Sequence, residues 1–331
     1  MNEFHGNLSP ELTPLALKPA SFEDVDQFAE WEKGLGWDAD FLQLSPGPDE
    51  IGFDHFAMPG LVVGHFTRKQ AAKDFFALPA GTVVCVIARA PQPLVWCGRE
   101  LPPTLMGIVR SAREHWVVTP AGWDCYEFMI DEDLIRRTEM VDPAFFEKTT
   151  QIELAFLPAV EPVTREFLQH LDWFFQTARG ANGDPGTQVP QHLFFDCVLD
   201  GLQQVFEAGL QFRGTHKPRP VRRSDLVANA RDFALAHLTE DVSAEDMAQA
   251  LGVSYRVLNY AFKDALGMSP YRYLLTLRLR AVRRQLLATG GTVTDASFGH
   301  GFYTPSRFIR RYSQFFGERP SETKSRARRR A

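Results

Sequence analysis

Two short stretches carry side chains spaced to contact a polyanion. In "SAEDMAQALGVSYRVLNYAFKDALG", residues 243–267, Met247, Leu251, Val253, Leu258 and Ala261 are apolar, Ala248 is small, and Gly252 follows it by four. Two helices joined at a steep angle by a turn of about three or four residues need this pattern. Ala248 permits close approach, Gly252 takes a turn conformation that costs other residues energy, and Val253 and Leu258 plug the gap. Ser254 stands where the second helix wants an N-cap. Outward lie Tyr255, Arg256, Asn259, Tyr260 and Lys263, donors for phosphates or base edges, with Arg suited to guanine and Asn to adenine. A small helical hairpin with a polar outer face shares these features. The pattern recurs, however, in "VTDASFGHGFYTPSRFIRRYSQFF", residues 293–316. There Ala296 and Ser297 are small, Gly301 is the turn and Phe302 the plug. Phe308, Ile309 and Tyr312 point inward, and Thr304, Ser306, Arg307, Arg310 and Arg311 outward. Pro305 sits in the first turn, where its missing N–H is harmless.

Between the two lies "PYRYLLTLRLRAVRRQLLA", with Leu275, Leu279, Val282 and Leu286 at steps of four, three and four. A helix of this size spans roughly 25–28 Å. Such a spacer can hold two recognition helices about 34 Å apart, one turn of DNA. Arg278, Arg280, Arg283 and Arg284 flank the stripe. Of these, Arg278, Arg283 and Arg284 are the candidates for phosphate contacts.

The elements that must position these helices differ in charge. From Phe212 onward there are 22 Lys/Arg and 10 Asp/Glu, a net of +12, whereas residues 1–211 hold 14 and 31, a net of −17. Only the second half is therefore suited to double-stranded DNA. The length of 331 residues favours two domains. Residues 21–32, "SFEDVDQFAEWE", open like a helix, with Ser21 as cap and Asp24 as its reciprocal partner. "IGFDHFAM", "LVVGHFTR", "TVVCVIA", "PLVWC", "TLMGIV", "HWVVT" and "CYEFMI" then read as an antiparallel sandwich or barrel over roughly residues 50–130.

Amphipathic helices follow. "VTREFLQHLDWFFQTA" has Phe167, Leu171 and Phe175 at steps of four. Residues 191–208 carry Phe195, Val198, Leu202 and Val205 at alternating steps of three and four. That stripe is expected to form the seam of a homodimer, with intrachain core as the alternative. "FRGTHKPRPVRRSD" reads as a flexible linker, and "KSRARRR" as a disordered basic tail. The expected fold is α+β: a cupin-like antiparallel domain over 1–160, a helical dimerisation segment over 161–211, a linker over 212–224, an all-α DNA-binding domain over 225–325 with helix-turn-helix units at 244–265 and 293–316, and a tail over 326–331.

The C-terminal hundred residues resemble the DNA-binding domain of the AraC/XylS family of bacterial transcription regulators. The landmarks are "ALGVSYRVLNYAFKDALGMSPYRYL", "LRLRAVRRQLL", "VTDASFGHGF", "RFIRRYSQFFG" and "RPSE", in order and spacing. Thr323 departs from the family, which has tyrosine after "PSE", and Ser297-Phe298 replaces the commoner "IA" and polar residue. "AVRRQLL" and "PSET" are most similar to regulators of the ethanolamine-operon kind, which says little about the ligand. The resemblance implies two tandem helix-turn-helix units, promoter half-sites, activation through contact with RNA polymerase, and control of the N-terminal domain by a small-molecule effector or a partner protein. A repressor, or a barrel enzyme or stress sensor fused to the DNA domain, are the alternatives.

Other chemistry finds little footing. His55, His65 and His115 stand apart on different strands, and Cys85, Cys97, Cys125 and Cys197 are too widely spaced for a zinc set. No catalytic residue, cofactor or metal is expected. Trp96, Trp116, Trp123, Tyr126 and Phe128 are candidates to line an effector pocket, and Arg110 or Arg113 to fix an anionic effector. No apolar run of about 18 residues appears, so no membrane association is expected. The N-terminus lacks the blocks of a secretory signal, and the sparse cysteines fit a reducing cytoplasm.

Overall fold

The computed structural model describes residues 15–89, 92–110, 114–138, 154–180, 190–212, 218–221, 223–288 and 291–330. Arg113, part of the linker and Ala331 lie outside the described residues.

Chain order runs β1 (Ser21–Phe22), α1 (Val25–Gly34), β2 (Asp38–Gln43), β3 (Ile51–Met58), β4 (Leu61–Arg68), β5 (Ala72–Ala77) and β6 (Thr82–Ala88). It continues through β7 (Leu94–Trp96), β8 (Arg99–Leu101), β9 (Leu105–Val109), β10 (His115–Thr119), β11 (Trp123–Asp131), α2 (Glu132–Thr138) and β12 (Leu154–Pro158). Helices α3 (Val163–Gly180) and α4 (Gln191–Gln211) precede a two-residue strand, β13 (Arg219–Pro220). Each apolar run named above falls on a strand. The charged strands β2 and β5, "DADFLQ" and "AKDFFA", gave no such signal.

Two antiparallel sheets form, ordered β1-β3-β4-β11-β6-β9-β12 and β13-β8-β7-β10-β5-β2. They make a sandwich rather than a closed barrel. Side chains alternate across a strand, and the seven-stranded sheet uses both faces. Phe53, Phe66, Trp123 and Cys125 join α1 and the six-stranded sheet in one core. Phe56, Val63, Tyr126, Phe128 and Ile130 join α3 and α4 in another.

That second core covers, within one chain, the stripe expected at a dimer seam. Val198, Leu202 and Val205 are each 0% exposed within a single chain, and Phe195 packs partly buried against the same cluster. A stripe at steps of three and four fits any apolar surface, and here the sheet covers it. Asp24 rather than Ser21 caps α1, accepting from the Gln27 backbone N–H at 2.9 Å. The linker is also less free than its composition suggests. Its β13 pairs with β8, and the Val221 N–H donates to Gly98 O at 2.7 Å.

The C-terminal domain is helical: α5 (Ser224–Ala236), α6 (Ala244–Ala250), α7 (Tyr255–Leu266), α8 (Pro270–Ala288), α9 (Val293–Phe298), α10 (Pro305–Phe316) and α11 (Pro320–Arg330). Helix α11 runs through most of the stretch expected to be a disordered tail. The first helix-turn-helix unit shares a core with Leu42, Leu44 and Val221, against partly buried Ala71, Val95 and Val118. The DNA-type domain is thus docked on the outer face of the six-stranded sheet.

Candidate nucleic-acid interface

The first unit is built as its residues require. Ser243 and Asp246 form a capping box on α6. Gly252 takes φ +67°, the left-handed turn that its Cβ-free backbone permits. Ser254 caps α7 by accepting from the Val257 N–H at 3.3 Å. Ala248 and Leu258 are buried and Val253 half-buried. In the second unit Thr292 caps α9, Gly301 has φ +78° and Pro305 opens α10.

The outward faces are bare. Ser254, Tyr255, Arg256, Tyr260 and Lys263 are exposed on α7, and Thr304, Ser306, Arg307 and Arg310 around the start and middle of α10. Asn259 and Arg311 are half-buried, and the Arg311 guanidinium donates to Tyr271 Oη at 2.6 Å. Arg256 lies 5.6 Å from the Tyr260 ring centroid, a cation–π distance. Ile309, expected inward, is 42% exposed and lies on the same outer surface.

The linker-helix arginines have another setting. Arg280 donates to Asp26 Oδ1 at 2.9 Å and Asp40 Oδ1 at 2.6 Å, and Arg284 to the same two oxygens at 2.8 and 2.7 Å. Arg283 is buried, donating to Asp24 Oδ2 at 3.0 Å and Glu318 Oε1 at 3.3 Å, with its guanidinium 4.8 Å from the Phe316 ring centroid. The Arg278 guanidinium donates to the Glu240 and Val242 carbonyls at 2.7 and 2.9 Å. Arg278, Arg283 and Arg284, expected from the sequence to contact phosphates, are thus engaged within the chain in this state. Acids of the N-terminal domain and backbone carbonyls already hold them. Burial opposes ionisation of Asp26 and Asp40, but Arg280 and Arg284 outweigh it. They hold both carboxyls below the usual range, Asp40 at about 2.

Neighbouring contacts extend this joint. The Gly47 N–H donates to Phe315 O at the end of α10 at 2.8 Å. Arg326 pairs with Glu23 and Glu318. Thr323, the departure from the family's tyrosine, is buried and donates to Glu318 Oε1 at 2.8 Å while accepting from the Tyr312 hydroxyl at 2.8 Å. The smaller side chain thereby orients the carboxylate that Arg283 uses.

Inside the sandwich lies a cavity of about 60 Å³. Phe28 and Glu32 of α1, Phe41 of β2, Arg68 of β4, Asp74 of β5 and Glu127 of β11 line it, with Trp96 and Trp123 among the aromatic walls. Of the three tryptophans expected at a pocket, Trp116 does not line it and stacks instead under the Lys73 ammonium at 4.5 Å. Arg110 pairs with Glu132 at 2.9 Å. The inward arginine is Arg68, bonded to Asp74 at 2.6 Å, and the sequence offered no signal for it. Two of the elements that line the cavity, α1 and β2, carry Asp24, Asp26 and Asp40 to the linker helix α8. His65 belongs to a polar cluster on the opposite face of the sheet, 2.9 Å from Asp124 Oδ1. Among the described residues no helix is long and apolar enough to cross a membrane.

A helix-turn-helix domain family matches residues 247–326. The probable thc operon regulatory protein of Rhodococcus erythropolis is 33% identical over 131 residues, 38% of this chain and 39% of that relative. The transcriptional regulator ArgR of Pseudomonas aeruginosa is 32% identical over 93 residues, 28% of each chain. The chain thus spans well under half the length of these curated relatives. Among solved structures, a probable AraC family transcriptional regulator from Rhodopseudomonas palustris is 33% identical, with 31% of this chain covering 98% of that one at a TM-score of 0.30. With two capped helix-turn-helix units on a common spacer helix, residues 247–326 belong to that helix-turn-helix domain family, and it is over this C-terminal part that the chain is similar to these transcription regulators.

Proposed function

We propose that the protein is a sequence-specific DNA-binding regulator of transcription whose N-terminal domain restrains its linker helix until a small molecule binds. The observation that carries this reading is the split among arginines of one domain. Arg256, Arg307 and Arg310 face solvent, whereas Arg280, Arg283 and Arg284 are bonded to Asp24, Asp26 and Asp40. Exposed donors at the start of two recognition helices suit base edges in successive major grooves. The arginines on the spacer between them would add phosphate contacts only when released. The effector would enter the sandwich cavity, because α1 and β2 touch both the cavity and the linker helix. A cytoplasmic setting and activation through RNA polymerase complete the proposal.

Selection from random duplexes with the full chain tests it. Two half-sites about one helical turn apart should be enriched. Enrichment of no sequence, or of a site unaffected by changing either recognition helix, would refute the reading.

A further inference from the structure

Several features compete for a further role. The polar cluster of His65, Arg89, Asp124, Tyr126 and Asp172 continues through Arg179 to Asp54 and ties α3 to the sheet. Cys97 lies 3.8 Å from His115 Nδ1 at the domain joint, but burial pushes its thiol up, away from reactivity. The sandwich cavity carries more.

Its charge is unbalanced. Three carboxyls line it, Glu32, Asp74 and Glu127, against one guanidinium, Arg68. Asp74 takes Arg68 at 2.6 Å. Glu127 Oε1 accepts only a long contact, 3.6 Å, from the Cys125 thiol. Glu32 Oε2 is buried with no hydrogen-bond partner, as are Trp96 Nε1, Thr119 Oγ1 and the Nε and Nη2 of Arg68. Buried polar atoms are normally paired, and each exception asks for a partner. Around these two carboxyls stand Phe28, Trp37, Phe66, Phe76, Trp96 and Trp123. Aromatic faces attract cations, most strongly where water is excluded. A water needs roughly 10–15 Å³ of such space, so about 60 Å³ holds a group of a few non-hydrogen atoms, such as the amine end of a ligand.

The geometry points to a small organic cation as the ligand of this cavity: a protonated amine on a flat apolar body, its ammonium between Glu32 and Glu127 and its body against the aromatic walls. This rests on the reading of the cavity as the effector site. The other charged groups facing Glu127 are Arg68 and Asp74, joined through one Arg68 nitrogen, while Arg68 Nε and Nη2 stay without a partner and are the rival donors for an anion. Burial raises Glu127 to about 7 and Glu32 well above the ordinary range. An arriving ammonium would therefore displace protons from both.

Three probes of one shape and different charge test the proposal: benzylamine, benzyl alcohol and benzoate, titrated into the full chain and followed by tryptophan fluorescence and thermal shift. Benzylamine should bind at least about tenfold more tightly than either of the others, which corresponds to about 1.4 kcal/mol. Its affinity should climb as pH is raised through about 7, where Glu127 loses its proton. Glu127→Gln and Glu32→Gln should each cost about tenfold or more for the amine and leave the alcohol unchanged. Both variants remove a burial penalty, so they should fold, and their melting curves verify this.

Preference for benzoate would overturn the proposal and make Arg68 the reader. Equal binding of amine and alcohol, or no binding of the amine at millimolar concentration, would overturn it too. DNA affinity is measured in the same samples. Amine binding without a change in DNA affinity keeps the ligand class and sinks the effector reading. Specific DNA binding without amine binding does the reverse.

Discussion

Arginines in two regions of the DNA-type domain meet opposite surroundings. On the recognition helices Arg256, Arg307 and Arg310 stand in solvent. One helix away, Arg280 and Arg283 are buried against carboxylates of the other domain, and Arg284 bonds to the same acids from a more open position. A guanidinium is always charged and donates through a planar fork, so either set could clamp a phosphate. Only what each one faces differs. Residue type tells what a side chain is able to do, and the far end of the chain decides whether it is free to do it.

The carboxylates repeat the contrast. Asp26 and Asp40 face guanidiniums and stay ionised, while Glu32 and Glu127 face aromatic rings and are driven toward the neutral form. Asp26 and Glu32 share α1, which bridges the cavity and the joint.

The two sets of arginines differ most at Arg283. Arg283→Ala leaves Asp24 and Glu318 without their buried cation and should destabilise the protein by about 3 kcal/mol. Arg307→Ala should change stability by less than about 0.5 kcal/mol. Chemical denaturation of the two variants side by side measures the gap, and equal losses would contradict it.

A similar magnitude is expected from pH. Glu127 titrates near 4.5 when unfolded and about 7 when folded, so the folded state holds the extra proton between those values. Its contribution is full below about 4.5 and is lost as pH rises through about 7, up to roughly 3 kcal/mol. Glu32 acts in the same direction. Melting temperature should fall across that window, and Glu127→Gln should flatten the decline.

Smaller effects fall on the recognition helices. Arg256→Ala and Arg307→Ala should each lose about 1–3 kcal/mol of discrimination, at opposite half-sites. Equal loss on specific and random duplexes would make them phosphate clamps. Ser254→Ala should cost about 1 kcal/mol through its cap on α7.

What was legible in the sequence was local. Ala248, Gly252 and Val253 sit within six residues, and their spacing alone demands the turn; Ala296, Gly301 and Phe302 repeat it. Strands with apolar runs were equally plain, whereas β2 and β5 were hidden by Asp38, Asp40, Lys73 and Asp74. The burial of Val198 and Leu202 was not decidable, because the same stripe serves a partner helix or a sheet. Arg280 and Asp26 are separated by 254 residues, and no periodicity records such a pair. Glu32 looks like the polar face of a helix until the opposite sheet encloses it.

If Asp26 and Asp40 hold the linker helix away from DNA, the salt dependence of duplex binding will show it. Each phosphate contact steepens the slope of log affinity against log salt by about 0.9. The Asp26→Asn, Asp40→Asn double variant frees Arg280 and Arg284. Its slope should steepen by roughly 1–2, and its affinity at low salt should rise about tenfold as the competent fraction grows. An unchanged slope with unchanged or weaker affinity would show that these ion pairs only join the two domains and do not govern access to DNA.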